Sequence, residues 1–456
     1  MFLEKVQSEG LSHLSYILGD GWYSAVIDPR RDCQVYIDTA YQKGTQIKYI
    51  FETHRNEDCL SGSLELARIT GAKIYHGKGL PFTYGNSAEE GDLFEVGGLR
   101  LKILNTPGHS FESISIVLFD KSAGEDPIGV FTGDTLFVGD VGRTDLFPDR
   151  MEDCAAALYD SIFEKLLPLG DHVMLYPAHG AGSICGGRIA NREFSTLGFE
   201  RRNNPALQNE SREAFVQTKI REDHASPPYF SRMKEWNLQG PPSVNFLFPL
   251  KPFHADQFDQ AMQQGMVAVD IRSPEAFAGA YIPGSVAIPL EMLPMYAGWF
   301  LPHERDIGLI VDSCQDVDAA ARFLARIGYD RVVGFLEKGL HEWEIRGKYY
   351  ETIPAVYAGE IQRRIRNHED FTLLDIRTRK EFDQAHLPQA RHIYLGDIPA
   401  HMGEISANGP ITTFCNSGKR AIIAASLLKN HGFKEVEDCL GSIQACSRGV
   451  CDIVTS

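Results

Sequence analysis

Short apolar runs separated by polar residues recur along the first half of the chain. Residues 13–19 and 23–28 are two such runs on either side of Asp20-Gly21, and they predict a pair of strands joined by a tight turn. Helical spacing of apolar residues near 33–43 and over 151–166 separates further β-branched runs. Strands that alternate with helices in this way predict an αββα sandwich, with two sheets inside and helices outside.

Several of the predicted strands end at a histidine or an aspartate. These strand-terminal residues are His54 after 47–52, His109 after 99–104, Asp134 after 128–131 and His179 after 173–176. Two neutral imidazoles and a carboxylate on one face are the ligand set of a catalytic first-row metal that keeps open positions. The sequence therefore predicts a metal site made by His54, His109 and Asp134.

Five motifs around these residues resemble those of one known superfamily. Residues 53–59 resemble its His-x-His-x-Asp-His signature, except that Asn56 and Cys59 replace the second and third histidines. The other four motifs are Thr-Pro-Gly-His-Ser at 106–110, Phe-Thr-Gly-Asp-Thr-Leu at 131–136, Gly-Arg-Thr-Asp at 142–145 and Tyr-Pro-Ala-His-Gly at 176–180. Together they resemble the metallo-β-lactamase superfamily and, within it, the persulfide dioxygenases.

The resemblance implies a particular metal and substrate. It implies one Fe(II) per chain, bound by His54, His109 and Asp134, with about three of six coordination positions left open. It also implies that Arg143 binds a carboxylate of a thiol substrate.

Asn56 and Cys59, which replace two histidines of the signature, make a second metal ion harder to bind. Binuclear hydrolases of the superfamily need imidazoles where this chain has Asn56 and Cys59, so a zinc pair is hard to build here. Asp58 and His179 keep hydrolase ligand positions, and we expect them only to orient the ligands of the single metal. Cys185 is either a reactive thiol near the pocket or a small buried residue.

The second half of the chain contains an internal repeat. The matching segments are 267–277 with 373–382, 281–285 with 386–390 and 326–329 with 430–433. Each copy reads strand, Asp-x-Arg and helix, which predicts an α/β domain with a parallel sheet. Proline-rich sequence between 222 and 253 predicts a linker without regular structure. The predicted domains are therefore 1–240, 250–350 and 355–456.

A cysteine loop follows a strand in the last copy. The loop residues after Cys415 are Asn416, Ser417, Gly418, Lys419 and Arg420, and a helical pattern follows them. Backbone donors at a helix N-terminus and two cationic side chains favour a thiolate. This copy resembles the rhodaneses, which are sulfurtransferases, and the resemblance implies that Cys415 carries the transferred sulfur.

The central copy lacks these features. Its Cys314 is displaced by two residues, no Lys or Arg stands in the loop, and Asp316 and Asp318 oppose a thiolate. We expect an inactive rhodanese-like domain.

Composition limits the partners. The 456 residues carry a formal charge of -16, which argues against nucleic acid as the main partner. The amino terminus has no basic region followed by an apolar one, and no run has the roughly 18 apolar residues of a membrane span. The nine cysteines are scattered along the chain, which favours a reducing compartment. We expect a cytoplasmic homo-oligomer that acts on small molecules.

The expected fold class is α/β, an αββα sandwich followed by two rhodanese-like domains. The expected activity is Fe(II)-dependent oxidation of a low-molecular-weight thiol persulfide by O2 to sulfite, with transfer of sulfane sulfur at Cys415 to give thiosulfate, in sulfide detoxification. Two alternatives stay open. One is a glyoxalase II-type thioester hydrolase fused to a sulfurtransferase, and the other is a non-catalytic sulfur carrier or sensor. Glutathione, coenzyme A, bacillithiol and cysteine all remain candidate thiols.

Overall fold

The chain divides into two compact units in the computed structural model. The structure describes residues 1–183, 185–209, 211–222, 224–243, 250–406 and 409–455. The first unit comprises Met1–Phe246 with Ala325–Gly328, and the second comprises Leu247–Leu324 with Tyr329–Ser456. Among the described residues, no helix is long and apolar enough to cross a membrane.

Two six-stranded sheets form the centre of the first unit. The first sheet runs in the order β1 to β6, and the second in the order β14-β13-β10-β9-β8-β7. The strands are β1 Phe2–Ser8, β2 His13–Asp20, β3 Tyr23–Ile27, β4 Gln46–Glu52, β5 Lys73–Gly77, β6 Asn86–Ala88, β7 Leu93–Val96, β8 Leu99–Asn105, β9 Ile114–Asp120, β10 Gly129–Gly133, β11 Leu136–Phe137, β12 Asp140–Val141, β13 Met174–Pro177 and β14 Ser195–Thr196. The predicted pair at the start is antiparallel, with Asp20 opposite Tyr23.

Helices cover the outer face of each sheet. They are α1 Gln34–Lys43, α2 Ser63–Thr70, α3 Met151–Asp160, α4 Leu197–Asn203, α5 Arg212–Lys219 and α6 Phe230–Gln239. Apolar side chains of both sheets meet in one buried cluster, and two further clusters lie between the sheets and the helices. Alternation along the strands sends successive side chains to opposite faces, which fills both layers. The predicted αββα sandwich is confirmed.

The prolines of the predicted linker bracket a helix instead of excluding one. Helix α6 lies between Pro228 and Gly240, and it buries Phe230 and Met233. The prediction of irregular structure was wrong here, because the apolar spacing inside a short proline-free stretch is enough for three turns. Residues 244–249, including Pro249 of the predicted linker, lie outside the described residues.

The second unit contains two parallel five-stranded sheets of the same topology. Their orders are β15-β19-β18-β16-β17 and β20-β25-β24-β21-β23. The central domain contains β15 Lys251–Phe253, α7 Ala255–Gln263, β16 Val267–Asp270, α8 Pro274–Gly279, β17 Val286–Ala287, α9 Leu293–Phe300, β18 Ile307–Ile310, α10 Cys314–Arg326, β19 Val332–Leu336 and α11 Gly339–Ile345. The last domain contains β20 Ala355–Tyr357, α12 Ala358–Arg366, β21 Thr372–Asp375, α13 Arg379–Gln384, β22 Ala385–His386, β23 Arg391–His392, α14 Ile398–His401, β24 Ile411–Phe414, α15 Lys419–Asn430, β25 Val436–Leu440, α16 Ser442–Ala445 and β26 Val454–Thr455.

The repeated Asp-x-Arg motif forms a buried ion pair in each copy. Arg377 forms a buried ion pair with Asp375 (Nη2–Oδ2 2.6 Å) and donates to the carbonyl of Ala385 at the end of α13. Arg272 makes the equivalent pair with Asp270 in the central domain, also at 2.6 Å. The repeat therefore fixes the strand to the following helix in each copy, and its presence alone says nothing about activity.

Candidate metal centre and sulfur-transfer loop

Three strand ends bring His54, His109 and Asp134 together. One donor atom from each lies within 4.8 Å of the other two. The Nε2 atoms of His54 and His109 are 3.6 and 3.5 Å from Oδ2 of Asp134. All three side chains are buried. Gly133 (φ +54°) precedes Asp134 and packs against Thr53, where an added Cβ would be 2.5 Å from Oγ1.

Hydrogen bonds on the far side of each imidazole fix its orientation. His109 Nδ1 donates to the backbone carbonyl of Arg143 at 3.0 Å. Nδ1 of His54 is 2.9 Å from the Thr53 hydroxyl, which donates to a carboxylate oxygen of Asp28 at 2.8 Å. Such partners turn the other ring nitrogen toward a metal.

Among the described residues, the inward-facing atoms of this group accept or donate no hydrogen bond, although Glu57 Oε1 lies 3.2 Å from His109 Nε2. His54 Nε2, His109 Nε2 and Asp134 Oδ2 are all buried without a hydrogen bond. Three buried orphan donors from two histidines and one carboxylate are expected of a metal site, because a cation satisfies them simultaneously. The residues present therefore fit a bound metal ion.

A second group of donors lies beside the first. It consists of Asp58, His179 and Cys185, again within 4.8 Å of one another. His179 connects the two groups through Asp134 Oδ1 at 2.6 Å and Asp58 Oδ2 at 3.1 Å. Burial opposes protonation of His179, but the Asp134 and Asp58 carboxylates outweigh it and raise the pKa of His179 well above its usual value. Asp58 thus orients His179, and His179 orients Asp134.

The candidate sulfur-transfer loop comprises residues 415–420 and connects β24 to α15. Cys415 follows β24, is 1% exposed, and its Sγ accepts the backbone N–H of Gly418 at 3.1 Å. The carbonyls of Asn416 and Ser417 accept N–H groups of Gln444 and Gly441, which secures the loop. One backbone donor at the start of α15, the Gly418 N–H, therefore contacts the thiol directly, as the sequence suggested.

Both cations of the loop are paired with carboxylates. Lys419 forms an ion pair with Glu291 of the central domain, and Arg420 binds both oxygens of Glu381 at 2.6 and 2.9 Å. The sequence-based prediction that both act directly on the thiol is only partly met. Arg420 lies near enough to Cys415 to interact with it electrostatically. The ammonium group of Lys419 forms its ion pair with Glu291 instead.

The central domain contributes to the surroundings of this loop. Tyr296 of α9 is 8% exposed and interacts with Arg420 and Cys415. Trp299 of the same helix contacts the ring of Tyr394 at 5.7 Å. In contrast, Cys314 is exposed at the start of α10, and Asp316 lies in the first turn of that helix. The central domain thus touches the loop through α9 and through Glu291 just before it.

Comparison with known proteins agrees with this architecture. The model of the metallo-beta-lactamase superfamily matches residues 9–179, and that of the rhodanese-like domain matches residues 254–346 and 358–448. A solved metallo-beta-lactamase from Staphylococcus aureus is 33% identical, with a TM-score of 0.66, and the alignment covers 74% of this chain and 98% of that one. The chain belongs to the metallo-β-lactamase superfamily. It carries two rhodanese-like domains after the superfamily domain.

Two groups of curated relatives match the metallo-β-lactamase domain. The persulfide dioxygenase ETHE1 of Bos taurus is 28% identical over 254 residues, which is 52% of this chain and 81% of the relative. The hydroxyacylglutathione hydrolase GloC of Haemophilus influenzae is 27% identical over 221 residues, which is 43% of this chain and 93% of the relative. The relatives thus include both an oxidising and a hydrolysing enzyme of the superfamily.

Arg143 of the superfamily domain is not placed as the sequence suggested. Its guanidinium is fully buried and binds both oxygens of Asp145 at 2.6 and 2.7 Å, and it also donates to the carbonyl of Ala225 at 3.0 Å. A substrate carboxylate would meet a guanidinium that is already neutralised by Asp145. The geometry therefore favours a structural ion pair over direct substrate binding.

Glu57 is a site residue that sequence reasoning missed. It occupies a variable position of the signature, between Asn56 and Asp58, so the motif gave no reason to select it. The structure buries it completely, with Oε1 3.2 Å from His109 Nε2. The thiol of Cys185 donates to the same oxygen at 3.9 Å. Burial raises the pKa of Cys185 well above its usual value, which keeps it a thiol rather than a reactive thiolate.

Proposed function

We propose that the superfamily domain is a mononuclear Fe(II) persulfide dioxygenase and that the last domain transfers sulfane sulfur. The observation that carries the proposal is the group of orphan donors on His54, His109 and Asp134. Two nitrogens and one carboxylate oxygen match the facial triad of non-haem Fe(II) oxygenases. The similarity to ETHE1 and the two rhodanese-like domains support persulfide chemistry over other oxidations.

The proposed oxidation balances with water as a reactant. One thiol persulfide, one O2 and one H2O give one free thiol and one sulfite with its protons. Iron bound at the site supplies open positions where sulfur and O2 can react. The protein holds the two imidazoles through Thr53 and the Arg143 carbonyl, and the complete burial of His109 and Asp134 limits access of bulk water.

The proposed transfer step uses Cys415 as a sulfur carrier. A persulfide loads its outer sulfur onto the Cys415 thiolate and leaves as a thiol. Sulfite then attacks that outer sulfur, the sulfur–sulfur bond to Cys415 breaks, and thiosulfate leaves. The Gly418 N–H, 3.1 Å from Sγ, stabilises the negative charge that returns to Cys415.

The metal assignment is tested by iron analysis combined with oxygen uptake on several low-molecular-weight persulfides. Wild type should contain one iron per chain, and His54→Ala, His109→Ala and Asp134→Ala should each lose iron and oxygen uptake. Circular dichroism of the full chain checks that each variant keeps the secondary structure of wild type. Two tightly bound zinc ions in an active enzyme would contradict the proposal.

A second candidate is a thioester hydrolase with two metals. The group formed by Asp58, His179 and Cys185 and the similarity to GloC favour it. Asn56 and Cys59 stand against it, because neither is the imidazole that the hydrolases use. Release of free thiol from a glutathione thioester without oxygen consumption would select this candidate.

A further inference from the structure

A buried guanidinium without a counter-ion lies beside the metal centre. Arg55 follows His54 directly, is 7% exposed, and has an Nε without a hydrogen-bond partner. Its backbone N–H donates to Glu112 Oε1 at 2.7 Å, and its Cζ lies 5.7 Å from the centre of the Phe147 ring. Among the described residues, no carboxylate forms an ion pair with this guanidinium.

A second arginine of the chain shows the usual treatment of an equally buried guanidinium. Arg272 is also 7% exposed, but it binds Asp270 at 2.6 Å and donates to the Ala280 carbonyl at 2.8 Å. A buried charge is costly unless it is paired and hydrogen-bonded. The unpaired charge of Arg55 therefore indicates an anion that the protein chain itself does not supply.

A second cation lies close to Arg55. Lys234 of α6 donates to the carbonyl of Leu146 at 3.4 Å, and Leu146 directly precedes Phe147, whose ring lies next to the guanidinium. Burial lowers the pKa of Lys234, and the like charge of Arg55 lowers it further against the opposing charge of Glu57. We call Arg55 and Lys234 the cationic pair. An anion bound by both would relieve their mutual repulsion.

The carboxylates nearest to the cationic pair have other partners. Glu57 Oε1 lies 3.2 Å from His109 Nε2, and Asp145 binds the guanidinium of Arg143 through both oxygens. Like Arg55, Lys234 forms no ion pair within the described part of the chain. The cationic pair thus keeps positive charge that can attract an anion, whereas the charge of Arg143 is already neutralised.

Two partly exposed aromatic rings lie beside the cationic pair. Phe111 and Phe147 have ring centres 4.7 Å apart, and Phe147 also contacts Arg55. Phe111 is two positions after His109 in the chain, and Arg55 is one position after His54. The whole group therefore lies next to the proposed metal ligands. Unpaired charge beside partly exposed aromatic rings suits a small molecule that has both an anionic group and a carbon chain.

We propose that Arg55 and Lys234 bind an anionic oxygen group of the thiol persulfide, either a carboxylate or a phosphate, while Phe111 and Phe147 contact its carbon chain. The proposal rests on the function proposed above and names the feature by which that site selects its thiol. A guanidinium can donate two parallel hydrogen bonds to either group, and the ammonium adds a point charge. Glutathione, bacillithiol and cysteine carry carboxylates, and coenzyme A carries phosphates. The role that the sequence suggested for Arg143 thus passes to Arg55.

The experiment measures binding of S-methyl thiols, which keep the anionic groups but have no persulfide sulfur. S-methylglutathione and S-methyl coenzyme A are titrated by calorimetry into full-length wild type, Arg55→Met and Lys234→Met. Each substitution should raise the Kd of at least one ligand about tenfold or more, because it removes a charged hydrogen-bond donor. A larger loss for S-methylglutathione identifies a carboxylate as the bound group, and a larger loss for S-methyl coenzyme A identifies a phosphate.

Arg150→Met is the matched control. The guanidinium of Arg150 lies 4.2 Å from the centre of the Phe111 ring, but its side chain is 57% exposed and is paired with Asp153. Its Kd values should equal those of wild type. Oxygen uptake supplies a second measurement: the KM for an anionic persulfide should rise with the Kd in the two test variants, whereas the KM for 2-hydroxyethyl persulfide, which has no carboxylate or phosphate, should not change.

Three results would overturn the proposal: no binding of either S-methyl thiol to wild type, unchanged Kd values in both test variants, or an equal rise in KM for 2-hydroxyethyl persulfide. If Arg55→Met fails to fold, Lys234→Met decides by the same criteria, since its side chain is only half-buried. A wild type that binds S-methyl thiols through the cationic pair but contains no iron would instead refute the function proposed above, so the two failures are distinguishable.

Discussion

Replacing Arg143 with alanine should destabilise the first unit rather than weaken substrate binding. The substitution removes two charge-assisted bonds to Asp145, at 2.6 and 2.7 Å, and one to the Ala225 carbonyl. The Asp145 carboxylate is then left without its cation, although its side chain is only 19% exposed. The sequence alone suggested a different result, in which persulfide binding weakens and iron is retained.

The magnitude follows from the burial of the pair. Breaking a buried ion pair costs about 3–5 kcal/mol, and the partial exposure of Asp145 places this pair near the lower end, about 3 kcal/mol. For a unit of this size that loss corresponds to a fall in melting temperature of about 6–12 °C. Arg150→Ala is the matched control, because its pair with Asp153 is 57% and 63% exposed and is worth less than about 1 kcal/mol.

Calorimetry of the full chain measures the effect, with iron content and persulfide KM determined on the same preparations. A double variant, Arg143→Met with Asp145→Leu, should recover much of the stability, since neither charge then remains buried alone. The reasoning fails if Arg143→Ala melts like wild type, retains iron and raises the KM for persulfide at least tenfold. Arg143 would then bind substrate directly.

Four further predictions concern the second unit. Cys415→Ser should keep iron and oxygen uptake but shift the product from thiosulfate to sulfite, and unchanged products would mean that the last domain is not a working transferase. Cys314→Ser should leave sulfur transfer near wild type because that thiol is exposed and no Lys or Arg stands in its loop. Tyr296→Phe should slow transfer by altering the surroundings of Arg420, as thiosulfate assays would show. Burial raises the pKa of Asp438 to about 8, so its ionisation destabilises the fold as the pH rises from about 4 to 8. Asp438→Asn should therefore unfold at higher urea concentration than wild type at pH 8 and show no such gain at pH 4.

The local sequence was sufficient for the architecture and for the convergence of the three proposed metal ligands. Alternating and helical periodicities report which faces of an element are buried, and both depend only on neighbours along the chain. The sandwich, the two parallel sheets and the convergence of His54, His109 and Asp134 at strand ends all followed from that. The repeat located the second rhodanese-like domain in the same way.

Tertiary contacts decided which polar partners these residues take. Arg143 pairs with Asp145, Lys419 pairs with Glu291 of another domain, and Glu57 faces His109 across a gap of 52 positions in the chain. Cys446 and Cys451 form a disulfide that the cysteine spacing did not predict. A charged side chain selects its partner by distance in space after the layers have packed, and periodicity carries no information about that distance. The sequence therefore determined the layers and the strand ends that bring the proposed metal ligands together, while only the fold determined which partner each charged side chain takes.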